Sequence, residues 1–393
     1  MSGYPPLLPF MLNLKHSLEG SRMDKGVTQV NPGGTKHYLP LDGLRGIAIF
    51  LVFWNHHQLP YPALRWTWLG WTGVDLFFVL SGFLITGILF DTLHNPNFFR
   101  TFYIRRTLRI FPLYFAYWIA VGIVLACVHF PWDPALWAWV FYVGNYLTAH
   151  AVHLGLPYGY YTNITFPPLA NGFRLQLIFG HFWSLCVEEQ YYLIWPMVVF
   201  WLKDRRRLIY ACIAGIVFTI ILRFVMEAFI SPGLQQSDFI FKSTFARTDS
   251  LLMGGWLALA LRGPKGFHGI RPGAIYLGGC VSFAMLIFAG AKHHFMVERS
   301  VAQPWLNTYG LSLIAVVASA LLVAALQASW VKSLLVWRPL LELGRISYGF
   351  YVLHFLPFGL IHVKYSSRKE MLFMYVCFFR FGLGGELDKL PMV

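Results

Sequence analysis

The chain has 393 residues, of which 57% are hydrophobic and only 12% charged, with a mean hydropathy of +0.56. Soluble domains carry about a quarter charged residues, so this composition excludes a soluble enzyme and points to an integral membrane protein. The net charge of +14, from 31 basic and 17 acidic residues, would suggest nucleic acid as a partner in a soluble protein, but the basic residues sit in short loops between apolar runs, where the positive-inside rule accounts for them. Repeated apolar runs of about twenty residues can cross the hydrocarbon core as helices, and no strand-like alternation suggests a barrel. The expected fold is all-α, a polytopic transmembrane bundle of about ten spans.

In chain order, residues 1–37 are rich in Gly, Pro and polar side chains and lack the pattern of a signal peptide, so a disordered tail is expected there. Hydropathy then predicts spans at 41–59, 72–90, 111–130, 182–202, 208–230, 243–261, 272–291, 305–327 and 345–363, with a weaker stretch at 136–148. Gly73, Gly82 and Gly87 in the second span permit close helix contact. Four loops carry the cations: Arg100, Arg105, Arg106 and Arg109; Lys203 and Arg205 to Arg207; Arg262, Lys265 and Arg271; Lys332, Arg338 and Arg345. All four should be cytoplasmic, with the N-terminus inside.

That arrangement requires an even number of crossings in 131–181, so a re-entrant or interfacial segment or a hairpin is expected there. Its aromatic residues Trp132, Trp137, Trp139, Tyr158, Tyr160 and Tyr161 fit either sugar stacking or an interfacial belt. The five cysteines are scattered singly and form no zinc or redox motif, so they read as packing residues and no metal is expected. A membrane domain over 38–363 is followed by a divergent or truncated segment, 364–393.

Ionisable residues inside spans cost about 2.5–3.5 kcal/mol each at a helix centre, so they are the informative ones. They are Asp75, Glu188, Glu189, Arg223, Arg247, Asp249, His354 and His56, and together they point to one buried polar cavity. Arg45 and His56 stand eleven residues apart, which returns them to one helix face after about three turns and separates them by about 16 Å along the axis. Two readings fit His56, a general base or an interface histidine bonded to loop backbone. Arg45 fits either an anion-binding residue or a plain anchor at the start of a span, with Asp42 positioned to cap the helix or pair with it. Glu188 and Glu189 are consecutive, so at most one faces a given cavity, and Glu189 is the favoured one. Arg105, Arg106 and Arg109 lie within about one turn, and their guanidinium forks suit either phosphates or anionic membrane lipids.

The segments LDGLRGIAIFLVFWNHH, GVDLFFVLSGFLI, FYIRRTLRIFPLY, FWSLCVEEQYYLIWP, RTDSLLMGGWLAL and LGRISYGFYVLHF resemble, in the same order, the signature segments of the membrane-bound acyltransferase 3 family. The resemblance runs from about residue 40 to 356. It implies transfer of an acyl group, often acetyl, from cytoplasmic acyl-coenzyme A to a hydroxyl of a carbohydrate or other acceptor, in a stand-alone form and in the bacterial inner membrane. It further implies that Arg45 and His56 are the family's basic residue and catalytic histidine, and that Arg105, Arg106 and Arg109 serve the acyl-coenzyme A side. Asp75, Glu189, Arg247 and Asp249 fall at recurring family positions. On this reading His56 deprotonates the acceptor or carries the acyl group, with Glu189 or Asp75 orienting its imidazole. Arg247, Asp249 and His354 form a substrate-facing or structural polar site. The alternative is a transporter or flippase of lipid-linked or small polar substrates, which would also bury such groups but would not transfer acetyl.

Overall fold

The computed structural model describes residues 28–30, 36–56, 69–147, 150–151, 154, 161–166, 176–230, 234–264, 266, 271–292 and 304–355. Strands Thr28–Val30 (β1) and Lys36–Tyr38 (β2) pair antiparallel, Thr28 opposite Tyr38, so part of the expected tail is a two-stranded ribbon. The ribbon runs directly into helix Leu39–His56 (α1). The rest of the tail, Tyr158, Tyr160 and the 364–393 segment lie outside the described residues.

Helices Gly73–Asp91 (α2) and Phe98–Cys127 (α3) follow. α3 runs straight through Pro112, whereas hydropathy places its span only from 111. Proline removes one backbone donor, but Phe98, Phe102 and Ile110 give the upstream turns a buried edge, so the arginine-rich stretch is helical as well. Helix Leu136–Val140 (α4) has five residues, far too few for a hydrocarbon core of about 30 Å. It is followed by a 3-10 turn, Gly144–Tyr146, and a hairpin of Asn163–Thr165 (β3) with Gln176–Ile178 (β4). Among the described residues of the 136–148 stretch no helix is therefore long enough to cross, in keeping with the charge pattern. Trp139 is buried and donates from Nε1 to the Tyr161 carbonyl at 2.8 Å, while the Tyr114 hydroxyl donates to the Trp139 carbonyl at 2.5 Å. This indole packs in the core, whereas Trp137 stays exposed.

The second half comprises Trp183–Leu202 (α5), Arg205–Phe229 (α6), Leu234–Lys242 (α7), Thr244–Leu261 (α8) and Pro272–Lys292 (α9). A π-helical turn, Leu306–Gly310, leads into Leu311–Gln327 (α10), and Ser329–Leu335 (α11), Arg338–Arg345 (α12) and Ser347–Leu353 (α13) complete it. The Asp204 side chain caps α6 by accepting from the Arg207 amide at 2.9 Å. Among the described residues five helical segments are long and apolar enough to cross a membrane: 69–91, 98–127, 205–229, 272–290 and 306–327. Helices α1, α5 and α8 have 18, 20 and 18 residues but carry the ionisable groups. The count of about ten spans is thus not reached on length and apolarity.

Sidedness follows from contacts as well as charge. Arg262 grips both Asp91 carboxylate oxygens, at 2.7 and 2.6 Å, and Arg205 Nη1 donates to the Leu259 carbonyl at 3.2 Å. The ends of α2 and α8 and the start of α6 therefore share one side. Helix α12 packs on the start of α1, where a side chain at Gly344 would strike the Asp42 backbone. By the positive-inside rule this shared, cation-rich side is cytoplasmic.

Helix α2 is the bundle's centre, flanked by α8, α1, α10 and α5. A Cβ on Gly82 would collide with the Leu251 carbonyl of α8, and one on Gly254 with the Val79 carbonyl of α2, so each backbone approaches through the other's glycine. Neither obstacle is a flexible side chain. Gly82→Val is therefore expected to cost about 3 kcal/mol or more, seen as loss of the monodisperse peak in detergent chromatography. A wild-type elution profile and melting temperature would rule that packing out.

Candidate active site

At the end of α1 remote from the cations, three imidazoles meet. His56, half-buried, has Nδ1 2.9 Å from His354 Nε2. His354, at the end of α13, is 1% exposed, and its Nδ1 lies 2.6 Å from the Tyr351 carbonyl oxygen. His181 comes from the 3-10 turn Gly180–Phe182 that precedes α5. Its ring centroid is 4.8 Å from that of His354 and 6.5 Å from that of His56. Burial, with His354 and His56 close by, holds the His181 imidazole well below its ordinary pKa, so it is neutral near pH 7. Neither of its ring nitrogens has a partner among the described residues, and a buried polar group in that state calls for water or a ligand.

The imidazoles do not surround a point that a metal ion could occupy. Both His354 nitrogens are engaged in hydrogen bonds, and among the described residues no three ligating side chains converge on one position. Tyr351 ties this end together. Its hydroxyl donates to the His181 carbonyl at 2.5 Å and accepts from Ser184 Oγ at 2.5 Å, locking α13 against the start of α5.

At the other end of α1, Arg45 pairs with Asp42 at 3.1 Å. Arg109 and Arg106 of α3 lie within electrostatic range of the Arg45 guanidinium. Arg106 stacks over the Tyr192 ring at 5.1 Å, and the Tyr192 hydroxyl is 2.6 Å from Ser81 Oγ. Arg106 and Arg109 are i and i+3 and share a face; Arg106 is half-buried, whereas Arg105 and Arg109 are exposed. Arg45, Arg106 and Arg109 thus lie within electrostatic range of one another. Both glutamates lie within range of Arg106, and Glu188 is also beside Arg45, Ser81 and Tyr192. Glu189 is in range of Tyr142, and Tyr348 and Tyr192 are in range of both glutamates. Glu188 is the glutamate in range of Arg45, and Glu189, the favoured one, shares with it the range of Arg106.

Asp75 does not orient His56. Its Oδ1 accepts from Arg247 Nη2 at 2.7 Å and from Ser250 Oγ at 3.1 Å, with both members of the ion pair fully buried. Neither Asp75 nor Glu189 reaches His56 among the described residues; its partner there is His354. The Arg247 guanidinium lies over Phe241 at 4.7 Å, with Phe78 and Trp183 at 5.6 and 5.7 Å. Such rings favour a desolvated cation. Asp249 accepts from Arg223 at 2.8 Å and from Ser312 at 2.7 Å, and Arg223 also donates to Ser312 and to the Ala246 carbonyl. The expected single cavity is therefore three polar groups strung through the bundle: the imidazoles, the guanidiniums with the glutamates, and two coupled Asp–Arg pairs.

His181 was missed because it lies in no span and in no periodic pattern. Gln190 and Asn145 were missed as uncharged. Gln190 Nε2 donates to the Tyr142 carbonyl at 2.7 Å and to Asn145 Oδ1 at 3.0 Å, while its Oε1 accepts from Thr244 at 2.6 Å. Asn145 Nδ2 donates to the Lys242 carbonyl and to Thr244, each at 3.1 Å. These bonds pin the 142–145 segment to α5 and to the start of α8. An Asn beside an aromatic run and a Gln next to paired glutamates were the only available signals.

Buried ionisable groups strung through a helical membrane bundle mark it as one that handles a polar substrate, and comparison with known proteins supplies the class. The family model described as an acyltransferase domain (Acyl_transf_3) matches residues 39–384, and the chain belongs to that family. It is similar to the peptidoglycan O-acetyltransferase OatA of Listeria monocytogenes, 30% identical over 350 residues that make up 82% of this chain and 49% of the relative. It is also similar to YrhL of Bacillus subtilis, whose provisional name is the same activity, at 31% over 351 residues, 82% of this chain and 49% of the relative. A provisionally named O-acetyltransferase of Staphylococcus aureus (strain COL) is 26% identical over 356 residues, 86% of this chain and 54% of the relative. The chain spans about half the length of the curated relatives it matches. No solved structure matches it.

Proposed function

We propose that this chain is an O-acyltransferase of the bacterial cell membrane that moves an acyl group, acetyl, from cytoplasmic acyl-coenzyme A to a hydroxyl of an envelope carbohydrate, free or lipid-linked. The observation that carries this reading is that one helix, α1, has Arg45 among guanidiniums at its cation-rich end and His56 among imidazoles at the other. Coenzyme A phosphates cannot enter hydrocarbon, so they fit a guanidinium cluster at the membrane surface. The pantetheine arm is long enough to bring a thioester toward the far end of such a helix. There an imidazole base takes the acceptor proton as the oxygen attacks the thioester carbonyl, and the coenzyme A thiolate leaves and is reprotonated. The names of the curated relatives favour peptidoglycan as the acceptor class.

Inside-out membrane vesicles given labelled acetyl-coenzyme A should place label on envelope glycan. Vesicles that translocate glycan without labelling it would instead support a transporter and sink the proposal. Arg106→Ala removes a charged hydrogen-bond donor of about 1.5–3 kcal/mol, so the KM for acetyl-coenzyme A should rise about tenfold or more while kcat changes little. An unchanged donor KM would assign Arg106 to topology alone.

A further inference from the structure

His354 belongs to α13 and His56 to α1, and their shared hydrogen bond determines where the protons sit. The Tyr351 carbonyl can only accept, so His354 Nδ1, 2.6 Å away, carries a hydrogen. In a neutral imidazole the other nitrogen is then an acceptor, and His354 Nε2 lies 2.9 Å from His56 Nδ1. His56 Nδ1–H therefore donates, and the lone pair of the His56 ring is on Nε2. The two rings meet edge to edge and nearly coplanar, centroids 5.0 Å apart and planes inclined by 21°, as an in-plane N–H donor requires. His354 is held in turn: Phe350 lies parallel to it at 6.4 Å, Phe355 is at 4.4 Å, and Tyr351 is fastened to Ser184 and to the His181 carbonyl.

We propose that His354 is a positioning residue for acyl transfer, accepting from His56 Nδ1–H and so keeping His56 in the tautomer whose Nε2 acts as the base. The inference rests on the reading of His56 as that base. During transfer the acceptor hydroxyl gives its proton to His56 Nε2 and its oxygen bonds to the acyl carbon. The C–S bond breaks, and the thiolate takes the proton back from Nε2. While His56 holds that proton it is an imidazolium, and its Nδ1–H bond to His354 becomes a charge-assisted one, stronger than in the resting state. The interaction thus strengthens only as charge develops, which is what accelerates a step rather than merely binding substrate. A carboxylate commonly fills this place; here a buried neutral imidazole does.

The test replaces the accepting nitrogen and then restores an acceptor. His354→Phe keeps a ring but cannot accept, whereas the Gln side-chain oxygen of His354→Gln can take the place of Nε2. With acetyl-coenzyme A and full-length protein in vesicles, His354→Phe should lower kcat about a hundredfold or more with donor KM within about threefold, and His354→Gln should return to within about tenfold of wild type. Equal kcat for the Phe and Gln variants, or an effect on KM alone, would overturn the proposal. If His354→Phe does not accumulate, His354→Leu offers the same contrast in a smaller volume, and melting temperatures confirm that the compared variants are folded. His56→Ala run alongside separates the two failures. Activity in His56→Ala would remove the base assignment, whereas an inactive His56→Ala with a wild-type His354→Phe removes only the positioning role.

Discussion

His56→Ala is expected to lose acyl transfer by about a hundred- to ten-thousandfold while the protein still reaches the membrane folded and still binds its donor. The side chain is half-buried at the end of α1, and the core of that helix, Leu44, Ala48, Ile49 and Val52, does not touch the imidazole's role. Truncation therefore costs little packing. On the proposed reading donor affinity belongs to guanidiniums about 16 Å away along the helix, so coenzyme A protection of the arginines from a guanidine-directed reagent should persist. What disappears is the group that takes the acceptor proton. Transfer within about threefold of wild type would show that another residue performs that step, and His181, with its buried neutral ring, is the next to replace.

Asp75→Ala is expected to have the largest structural effect, a loss of about 3–5 kcal/mol. The deletion strands Arg247, a fully buried guanidinium whose carboxylate partner is Asp75. The nearby Asp249 is already committed to Arg223 and Ser312, and aromatic faces alone do not repay the burial of a cation. The protein should aggregate on extraction or be degraded before it accumulates. Replacing both partners by apolar residues, Asp75→Leu with Arg247→Met, should recover much of the stability, because the uncompensated charge is gone. The measurement is a melting temperature in detergent for both variants and wild type. If Asp75→Ala melts with wild type, the pair is not the structural tie its geometry implies. If the double variant folds and is inactive, the pair serves transfer as well as stability.

The family and the cation-rich loops were legible in residues alone because each depends on local pattern. Apolar runs and cation-bearing loops are linear features, and the short helix Leu136–Val140 agrees with their requirement that the weak apolar stretch not cross by itself. The eleven-residue spacing of Arg45 and His56 is a property of helix pitch, so their shared face could be read directly. The choice between adjacent residues could not. Glu188 or Glu189, and Arg105 or Arg106, differ by about 100° of helix rotation, and rotation is set by which neighbours pack against α5 and α3. Apolar content along those helices is nearly uniform, as expected of a membrane helix, so no amphipathic stripe announces the inner face.

Partnerships across the bundle were equally hidden. His56 was expected to lean on a carboxylate, yet Asp75 is held by Arg247 and Ser250, and the neighbour of His56 is a histidine from the far end of the chain. The sequence by itself determined the class of protein, its cation-rich side, and the Arg45–His56 stripe, since hydrophobicity, charge placement and helical period are all short-range. Only the tertiary structure decided which imidazole meets His56, which glutamate lies in range of Arg45, and that the buried charges form separate pairs. Those outcomes depend on helix rotation and long-range packing, through the glycine contacts of α2 with α8 and the Tyr351 tie between α13 and α5, and no local pattern encodes them.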